Sequence, residues 1–382
     1  MAVTTPGRNG ARFRLDMSEI NGALGDLGTL LPLLLGAVAV GVVAPQAALA
    51  GFGLCYIAVA FIYRLPIPVQ PMKAIAAFAL TAAVTPSELA LAGFLTGFVL
   101  LVLGLTGWIE RLRRLVPQSI IAGLQLGLGL SLALLALNLM GTSPLLALIA
   151  AGAMLVVSVT RPAAPAVLIL LVVACSGSVF VGTVPGQPET HAFAGAIALP
   201  TAAEWERSLT QLVLPQLSLT LTNAIILTAL VAGDYFQDRA RHVTPRRLCV
   251  TSGLANILLC PFGAMPMCHG AGGLAAHHRF GARSGGAPLV IGALLLTLAI
   301  VPGGSLVPAL VPSAVLGVLI AIAAFELSVS RRLLDSRPSC WPVIAATALA
   351  TFAFDPFIGL LFGTGAEMLR LILLRRFSGQ RG

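Results

Sequence analysis

The chain has 382 residues, of which 58% are hydrophobic and 10% charged, and its mean hydropathy is +0.97. Soluble domains carry about 25% charged residues, so this composition excludes an ordinary soluble protein and indicates a polytopic membrane protein. The net charge of +9 does not indicate nucleic-acid binding, because the arginines form short clusters between apolar runs without interleaved aromatic residues.

Fourteen apolar runs have roughly the length that a helix needs to cross a bilayer, and they predict an all-α polytopic membrane protein. The first seven runs lie at 20–41, 46–63, 66–84, 88–108, 116–138, 143–159 and 162–182. The second seven lie at 209–232, 247–262, 264–278, 287–304, 308–328, 341–354 and 356–374. Runs 66–84 and 264–278 are short and interrupted by proline or glycine clusters, which predicts discontinuous third and tenth spans.

The arginines predict how these spans are oriented. Cytoplasmic loops of membrane proteins carry an excess of Lys and Arg. If the chain alternates across the membrane from a cytoplasmic N-terminus, all the arginine clusters fall on the cytoplasmic side and Arg207 alone lies outside. This pattern predicts a multi-pass protein of the inner cell membrane with both termini in the cytoplasm.

The six cysteines are scattered and form no CxxC pair. This arrangement indicates neither a disulfide framework nor a zinc cluster. The spacing of Cys268 and His269 also fits no standard tetrahedral metal site. We therefore expect neither a metal nor a cofactor.

An internal repeat relates the two halves of the chain. The sequence LVPQSIIAG at 115–123 recurs as LVPSAVLG at 310–317, and PVQPMKAIAA at 68–77 corresponds in position to PMCHGAGGLA at 266–275. Because each half has seven spans, the second copy must be inverted in the membrane, and paired interrupted segments then indicate a secondary transporter's binding site. The predicted division is a tail at 1–19, a first seven-span repeat at 20–182, an extracytoplasmic loop at 183–208, a second repeat at 209–376 and a tail at 377–382.

Lys73, the sole lysine of the chain, follows Pro71 in the first interrupted segment. Proline suits the first turn of a helix and the residue before it avoids the α region, so the segment predicts a strand and then a helix that begins inside the membrane. Two such helix N-termini supply free N–H groups and about half a positive charge each. With the lysine ammonium they favour a dianion such as molybdate or sulfate. The alternative is a lysine that snorkels to the interface.

Other polar residues allow two or more interpretations. Asp26, in the apolar first span, is either a proton-coupling carboxylate, a group that positions the lysine or a structural hydrogen-bond partner. Asn223 belongs to a hydroxyl and amide stripe in the eighth span that can bind an oxyanion or hold helices together. Glu326 is interpreted as an interface carboxylate, and His277 with His278 as the cytoplasmic end of the tenth span.

Three motifs together resemble the bacterial and plant molybdate transporter family, distant relatives of the SulP sulfate permeases. They are GDLGTLLP at 25–32, PVQPMKAIA at 68–76 and PMCHGAGGLA at 266–275 with FGAR after it. The resemblance covers nearly the whole chain. It implies the SulP-like fold shared with uracil permeases, with two inverted seven-span repeats, a core domain and a gate domain. It also implies that no STAS domain follows the last span.

The resemblance further implies an anion site between the starts of the third and tenth spans. Its expected residues are Gln70, Met72 and Lys73 from the third span, Cys268, His269 and Gly270 from the tenth, and Asp26 and Thr29 from the first. Asp26 is the expected proton-coupling residue, and Asn223 of the eighth span is added as a candidate for binding.

The function expected from these features is import of molybdate, coupled to protons, by alternating access of the core domain against the gate domain. A sulfate transporter of the same fold is the nearest alternative, because the sequence cannot separate two dianions of one shape. An anion channel shares the architecture. An intramembrane enzyme using Asp26, His269 or Cys268 is disfavoured, because neither a G-x-S-x-G nor an HExxH pattern occurs. Relatives with this fold often form dimers, and a homodimer stays an open alternative.

Overall fold

The computed structural model describes residues 13–112, 117–161, 165–181, 200–301 and 310–378. The first helices are α1 (Met17–Ala39), α2 (Pro45–Tyr63), α3 (Lys73–Thr81), α4 (Pro86–Thr106), α5 (Ile109–Leu112), α6 (Gln118–Met140), α7 (Pro144–Thr160) and α8 (Ala166–Val181). They are followed by α9 (Ala202–Arg207), α10 (Leu214–Leu219), α11 (Thr228–Phe236), α12 (Pro245–Leu259), α13 (Ala271–Arg279), α14 (Gly286–Ile300), α15 (Ser313–Ser328), α16 (Arg331–Leu334), α17 (Trp341–Ala353) and α18 (Pro356–Ser378). Helices α9, α10 and α11 are continuous, because π-helical segments at Ser208–Val213 and Thr220–Leu227 join them.

Many of these helices are long and apolar enough for a membrane. Six of them, within the described residues, could cross it by length and composition, and five shorter helices are also apolar. The long ones are Met17–Ala39, Pro45–Tyr63, Pro86–Thr106, Gln118–Met140, Ala202–Ala240 and Pro356–Leu374. This content agrees with the polytopic helical protein that the composition predicts.

Local sequence sets several of the helix ends. Asp16 caps the start of α1, where its side chain accepts the N–H of Glu19 at 3.1 Å. Thr85 and Glu88 form a reciprocal capping box at the start of α4. Helix α2 ends at Arg64, which adopts a left-handed conformation with φ of 52°. Asp16 and the capping box supply hydrogen-bond acceptors for N–H groups that have no partner at a helix start. The left-handed conformation of Arg64 ends α2.

The two interrupted segments meet in a short antiparallel sheet inside the bundle. Strand β1 (Gln70–Pro71) pairs with β2 (Met267–Cys268), with Gln70 opposite Cys268 and Pro71 opposite Met267. The N–H of Met72 extends the pairing by donating to the carbonyl of Pro266 at 2.9 Å. Non-helical backbone at membrane depth needs internal partners of this kind. The change from strand to helix predicted for the first segment is therefore confirmed, and the second segment has the same form.

One detail of that prediction is wrong. Pro71 does not occupy the first turn of α3 but lies in β1, and the helix begins at Lys73 with Met72 as its N-cap. A proline fits a short strand where the pairing does not require its missing N–H. The lysine consequently occupies the first helical position, at the junction of strand and helix.

Two helix pairs use glycine to approach closely in the same way. Gly53 of α2 faces Gly292 of α14, and a Cβ on either would lie 3.0 or 2.9 Å from the other's carbonyl oxygen. Gly97 of α4 faces Gly253 of α12 with corresponding distances of 2.9 and 2.8 Å. Small residues that let backbones touch are the usual means of packing helices in a membrane. Helices α2 and α4 flank the first interrupted segment and α12 and α14 flank the second, so the two contacts join the helices around both segments into one frame.

Helix α1 connects this frame to the remaining helices. It packs against α3, α13 and α14, and also against α15. Helix α15 packs along α6, and α6 in turn along α17. The strand and helix junctions therefore lie beside two sets of helices, with α1 and α3 on one side and α6 and α15 on the other.

Candidate functional site

Lys73 is partly buried and borders a small cavity at the start of α3. The cavity is lined by Thr29 and Leu33 of α1, Lys73 of α3, Leu132 of α6, and Ala323, Glu326 and Leu327 of α15. The wall is therefore largely apolar, with an ammonium, a hydroxyl and a carboxylate as its polar groups. A mostly apolar pocket with a few convergent polar groups is the usual form of a small-ligand site.

The start of α3 is capped by a side chain from another span. The side-chain oxygen of Gln216 on α10 accepts the N–H of Ala74 at 2.8 Å and that of Ile75 at 3.1 Å. The same amide donates through Nε2 to the hydroxyl of Thr220 at 2.7 Å, and the side chain is buried. These N–H groups are therefore not free, contrary to the expectation that they would hold an anion directly.

The start of α13 is closed in a different way. A Cβ on Gly270, the N-cap of α13, would lie 2.2 Å from Oε1 of Gln70. A Cβ on Gly273 would lie 2.4 Å from both Oδ1 of Asp26 and Nε2 of Gln70. The two glycines thus admit an amide and a carboxylate of this chain. The carboxylate places negative charge near the positive end of the helix dipole.

Asp26 is the centre of a buried hydrogen-bonded cluster. The hydroxyl of Tyr56 donates to its Oδ2 at 2.5 Å, and its Oδ1 accepts from Nε2 of Gln70 at 2.8 Å and from the hydroxyl of Thr29 at 3.0 Å. Gln70 Nε2 also contacts the Thr29 hydroxyl. The Asp26 side chain is 0% exposed. Thr29 therefore links this cluster to the cavity that Lys73 borders.

His277 completes the cluster from α13. Its Nδ1 donates to the carbonyl of Gly22 at 3.0 Å, and its Nε2 lies 3.2 Å from Oδ2 of Asp26 without hydrogen-bond geometry. Nδ1 carries the proton that it donates to the Gly22 carbonyl. Nε2 can therefore approach the Asp26 carboxylate favourably only if either Nε2 or the carboxylate is protonated. Asp26 and His277 together then have no net charge. His277 lies in the last turn of α13, at the end of the interrupted segment as the sequence predicts, and its side chain is fully buried.

The remaining residues of the second interrupted segment make structural contacts. His269 donates through Nδ1 to the carbonyl of Pro68 at 2.9 Å, and its Nε2 lies 2.8 Å from the hydroxyl of Thr251. Its ring packs edge-on against Tyr63 at 5.8 Å between centroids. Both ring nitrogens are thus engaged within the protein. Cys268 is buried in β2, within electrostatic range of the lysine.

The structure brings some of the predicted residues together and separates others. Thr29 and Lys73 line the cavity, whereas Asp26 and Gln70 lie behind Thr29. Met72 is fully buried as the N-cap of α3. The side chain of Asn223 lies outside the described residues.

Sequence reasoning missed three groups and misjudged a fourth. Tyr56, Gln216 and His277 were not assigned to the site, and Glu326 was interpreted as an interface carboxylate although it lines the cavity. One signal was available, because Gly270, Gly273 and His277 recur at helical spacing and share one face. The Tyr56 and Gln216 contacts join spans far apart in the chain and leave no such local pattern.

A family profile described as "Molybdate transporter of MFS superfamily" matches residues 18–132 and 208–327. The two blocks cover more than half of the chain and include both interrupted segments. The chain belongs to this family. Membership confirms the resemblance that the three motifs indicate, and it makes the chain a multi-pass membrane transporter and not an enzyme.

Relatives of known name match over nearly the whole chain. Molybdate transporter 2 of Arabidopsis thaliana is 29% identical, over 94% of this chain and 88% of its own length. Molybdate transporter 1 of the same plant is 29% identical, over 96% and 90%. Molybdate transporter 1 of Chlamydomonas reinhardtii is 28% identical, over 90% and 89%. The similarity thus includes both halves of the chain.

Two solved structures share the fold. The transmembrane domain of the cyanobacterial bicarbonate transporter BicA aligns with a TM-score of 0.69 and 18% identity, over 92% of this chain and 98% of its own. Murine Slc26a9, an anion transporter in the inward-facing state, aligns with a TM-score of 0.66 and 17% identity, over 94% and 68%. The family description names the MFS superfamily, but this chain has the fold of these two proteins. The predicted polytopic membrane fold is confirmed at that level.

Proposed function

We propose that this protein is a secondary transporter that imports molybdate together with protons. The observation that carries the proposal is the position of Lys73, an ammonium at the start of a half-helix beside a cavity within the bundle. Intramembrane ionisable groups usually mark a ligand or ion pathway. Relatives named molybdate transporters along nearly the whole chain favour molybdate as the oxyanion.

The proposed architecture is fourteen spans in two inverted repeats of seven, at 20–182 and 209–376. The antiparallel pairing of β1 with β2 supports it, since equivalent strands of inverted copies meet in this way. The glycine contacts support it too, because α2 with α14 and α4 with α12 are equivalent pairs if the repeats are exchanged. Both termini in the cytoplasm and placement in the inner membrane belong to the same proposal.

The cavity lies where alternating access would need it. One wall comes from α1 and α3 and the other from α6 and α15. We assign α1–α4 and α9–α14 to a core domain, and α6–α8 and α15–α18 to a gate domain. Movement of one against the other would expose the lysine to each side of the membrane in turn.

Lys73 and Thr29 are the proposed direct contacts of the anion. Gln70 and Asp26 hold Thr29 in place from behind, and Cys268 and Gly270 form the neighbouring wall of the second interrupted segment. The engaged nitrogens of His269 and the buried side chain of Met72 favour structural roles for these two residues. A contact from Asn223 and a homodimeric assembly remain predictions.

Uptake into proteoliposomes tests the proposal. We expect saturable uptake of labelled molybdate, strong competition by tungstate, and loss of nearly all uptake in Lys73→Ala, because the remaining carboxylates of the site would repel a dianion. Lys73→Arg, which keeps the charge, is the matched control and should retain part of the activity. Saturable uptake of sulfate that ignores molybdate would favour the sulfate alternative. Conductance without saturation would favour a channel.

A further inference from the structure

Glu326 lines the same cavity as Lys73. It belongs to α15, whereas the lysine belongs to α3, so the two charges come from the two sets of helices that border the cavity. Glu326 is exposed although its helix is apolar, and it also lines the cavity. Neither Glu326 nor Lys73 has an ion-pair partner among the described residues.

The charges that face Glu326 are few. Of the helices that pack on α15, the described parts of α6, α7 and α8 carry no acidic residue, lysine, arginine or histidine. Helix α1 contributes Asp26, whose carboxylate accepts from Tyr56, Gln70 and Thr29, and Glu19, which accepts backbone N–H groups of Arg283 and Ala287. Lys73 on α3 is therefore the positive charge that lines the cavity together with Glu326.

One arginine near the end of α15 that carries Glu326 has its own partner. Arg332, in α16 just beyond that end, donates through Nε to Oε1 of Gln118 on α6. Lys73 and Glu326 are the two charged groups among the residues that line the cavity, with a sum of zero when both are ionised.

A dianion beside Lys73 would meet this carboxylate at close range. The anion, the ammonium and an ionised Glu326 sum to −2, and a mostly apolar wall cannot compensate that charge. Protonation of Glu326 changes the sum from −2 to −1 and removes the repulsion between its carboxylate and the dianion. Binding of the anion and binding of a proton would then favour each other, as linkage requires.

We propose that Glu326 is the carboxylate that takes up a proton when the dianion binds beside Lys73, so that the substrate and a proton cross together. This inference rests on the proposed function and names its coupling group. The geometry favours Glu326 over Asp26, because Asp26 is fully buried and already engaged by Tyr56, Gln70 and Thr29. Movement of α15 against α3 would also change the distance between Glu326 and Lys73. The proton affinity of Glu326 would then change as the cavity opens to one side of the membrane or the other.

The test compares purified wild type with Glu326→Gln and Asp26→Asn. Sulfate or molybdate binding is measured by calorimetry from about pH 6 to about pH 8, a range in which one coupled proton changes affinity by up to about tenfold per pH unit. We expect wild type to bind more weakly as pH rises and Glu326→Gln to bind with little pH dependence. In proteoliposomes, Glu326→Gln should take up anion down its own gradient and ignore an imposed pH gradient.

Glu326→Asp, which keeps a carboxylate, should retain the pH dependence, and Glu367→Gln, which removes a carboxylate bonded to Arg370 and Ser119, should behave as wild type. The inference is overturned if Glu326→Gln keeps the pH dependence, or if Asp26→Asn abolishes it while Glu326→Gln does not. If wild type transports molybdate or sulfate without any response to pH, the inference and the proposed proton coupling fail, and anion transport stands. If wild type binds no dianion, the proposed function fails and the inference with it.

Discussion

Helices α3 and α13 both begin inside the helix bundle after a short strand, but different side chains lie at their starts. Helix α3 starts against a neutral amide, Gln216, which accepts two of its N–H groups. Helix α13 starts against a carboxylate, Asp26, which a tyrosine, an amide, a hydroxyl and His277 surround. The backbone of the two segments is thus similar, with a short strand followed by a helix in each, whereas the side chains that close the two helix starts differ.

The consequence for the site is that Lys73 supplies the positive charge among the residues that line the cavity, where the Glu326 carboxylate also lies. Partial charges of helix ends matter within about one turn and are reduced where a partner already satisfies the N–H groups. Gln216 satisfies those of α3, and Asp26 compensates the end of α13. In the proposed site the lysine ammonium is therefore the main contact of the anion, and the amide and carboxylate clusters support it from behind.

The largest effect on this support should come from Asp26→Leu. The change leaves Tyr56, Gln70 and His277 buried without their shared acceptor, and removal of one member of a buried ionic group costs about 3–5 kcal/mol. We expect a large fall in the melting temperature of the purified protein in detergent. Asp26→Asn keeps the shape and one acceptor oxygen, so its loss should be smaller. Asp238→Leu, at an exposed position, is the control; a melting temperature for Asp26→Leu equal to that of this control would contradict the assigned cluster.

Gln216→Leu should have the next largest effect. It leaves the N–H groups of Ala74 and Ile75 buried without an acceptor, at a cost of about 1–3 kcal/mol each. Thermal unfolding and hydrogen exchange at the start of α3 measure the loss, and exchange there should become faster. Gln211→Leu, on the same continuous helix but bonded to Arg207, should leave exchange in α3 unchanged. Protected N–H groups in Gln216→Leu would mean that α3 has another cap.

These two clusters also mark how far the sequence could be interpreted alone. Hydropathy and the positive-inside rule predict the spans, since lipid imposes a uniform requirement on each of them. Proline and glycine clusters predict where helices break. The partners of Asp26 and Gln216 come from spans distant in the chain, and which of several polar residues meet depends on helix rotation and register. Tyr56 and Gln216 gave no local signal for that reason.

The proposed equivalence of the helix pair α2 and α14 with the pair α4 and α12 can be tested at their glycine contacts. A Cβ at Gly97 or Gly53 would press on opposing backbone at 2.8–3.0 Å, and overpacking of this kind costs about 1–3 kcal/mol. We expect Gly97→Ala and Gly53→Ala to lower the melting temperature by similar amounts. Gly152→Ala, with nothing within 4 Å of the new Cβ, should be neutral or slightly stabilising. Very unequal losses at the first two positions would argue against equivalent helix pairs.

The smallest expected effect concerns the starts of α1 and α9, two helices that correspond to each other in the proposed repeat. The Ser18 hydroxyl and Arg14 lower the pKa of the exposed Asp16 to about 2, and hydrogen bonds from Ser87 and Thr201 lower that of Glu204 to about 2. A carboxylate whose pKa is lowered in the folded state stabilises it above its ordinary pKa, near 4, and loses that contribution as pH falls toward 2.

Both carboxylates therefore stay ionised throughout the range in which uptake would be measured. Asp16→Asn and Glu204→Gln should each lower the melting temperature slightly, by an amount that does not change between about pH 6 and about pH 8. The pH profile of uptake in both variants should keep the wild-type shape. A changed profile would place a functional titration at the helix ends. An unchanged profile would agree with the proposal that the titrating group is Glu326, within the bundle.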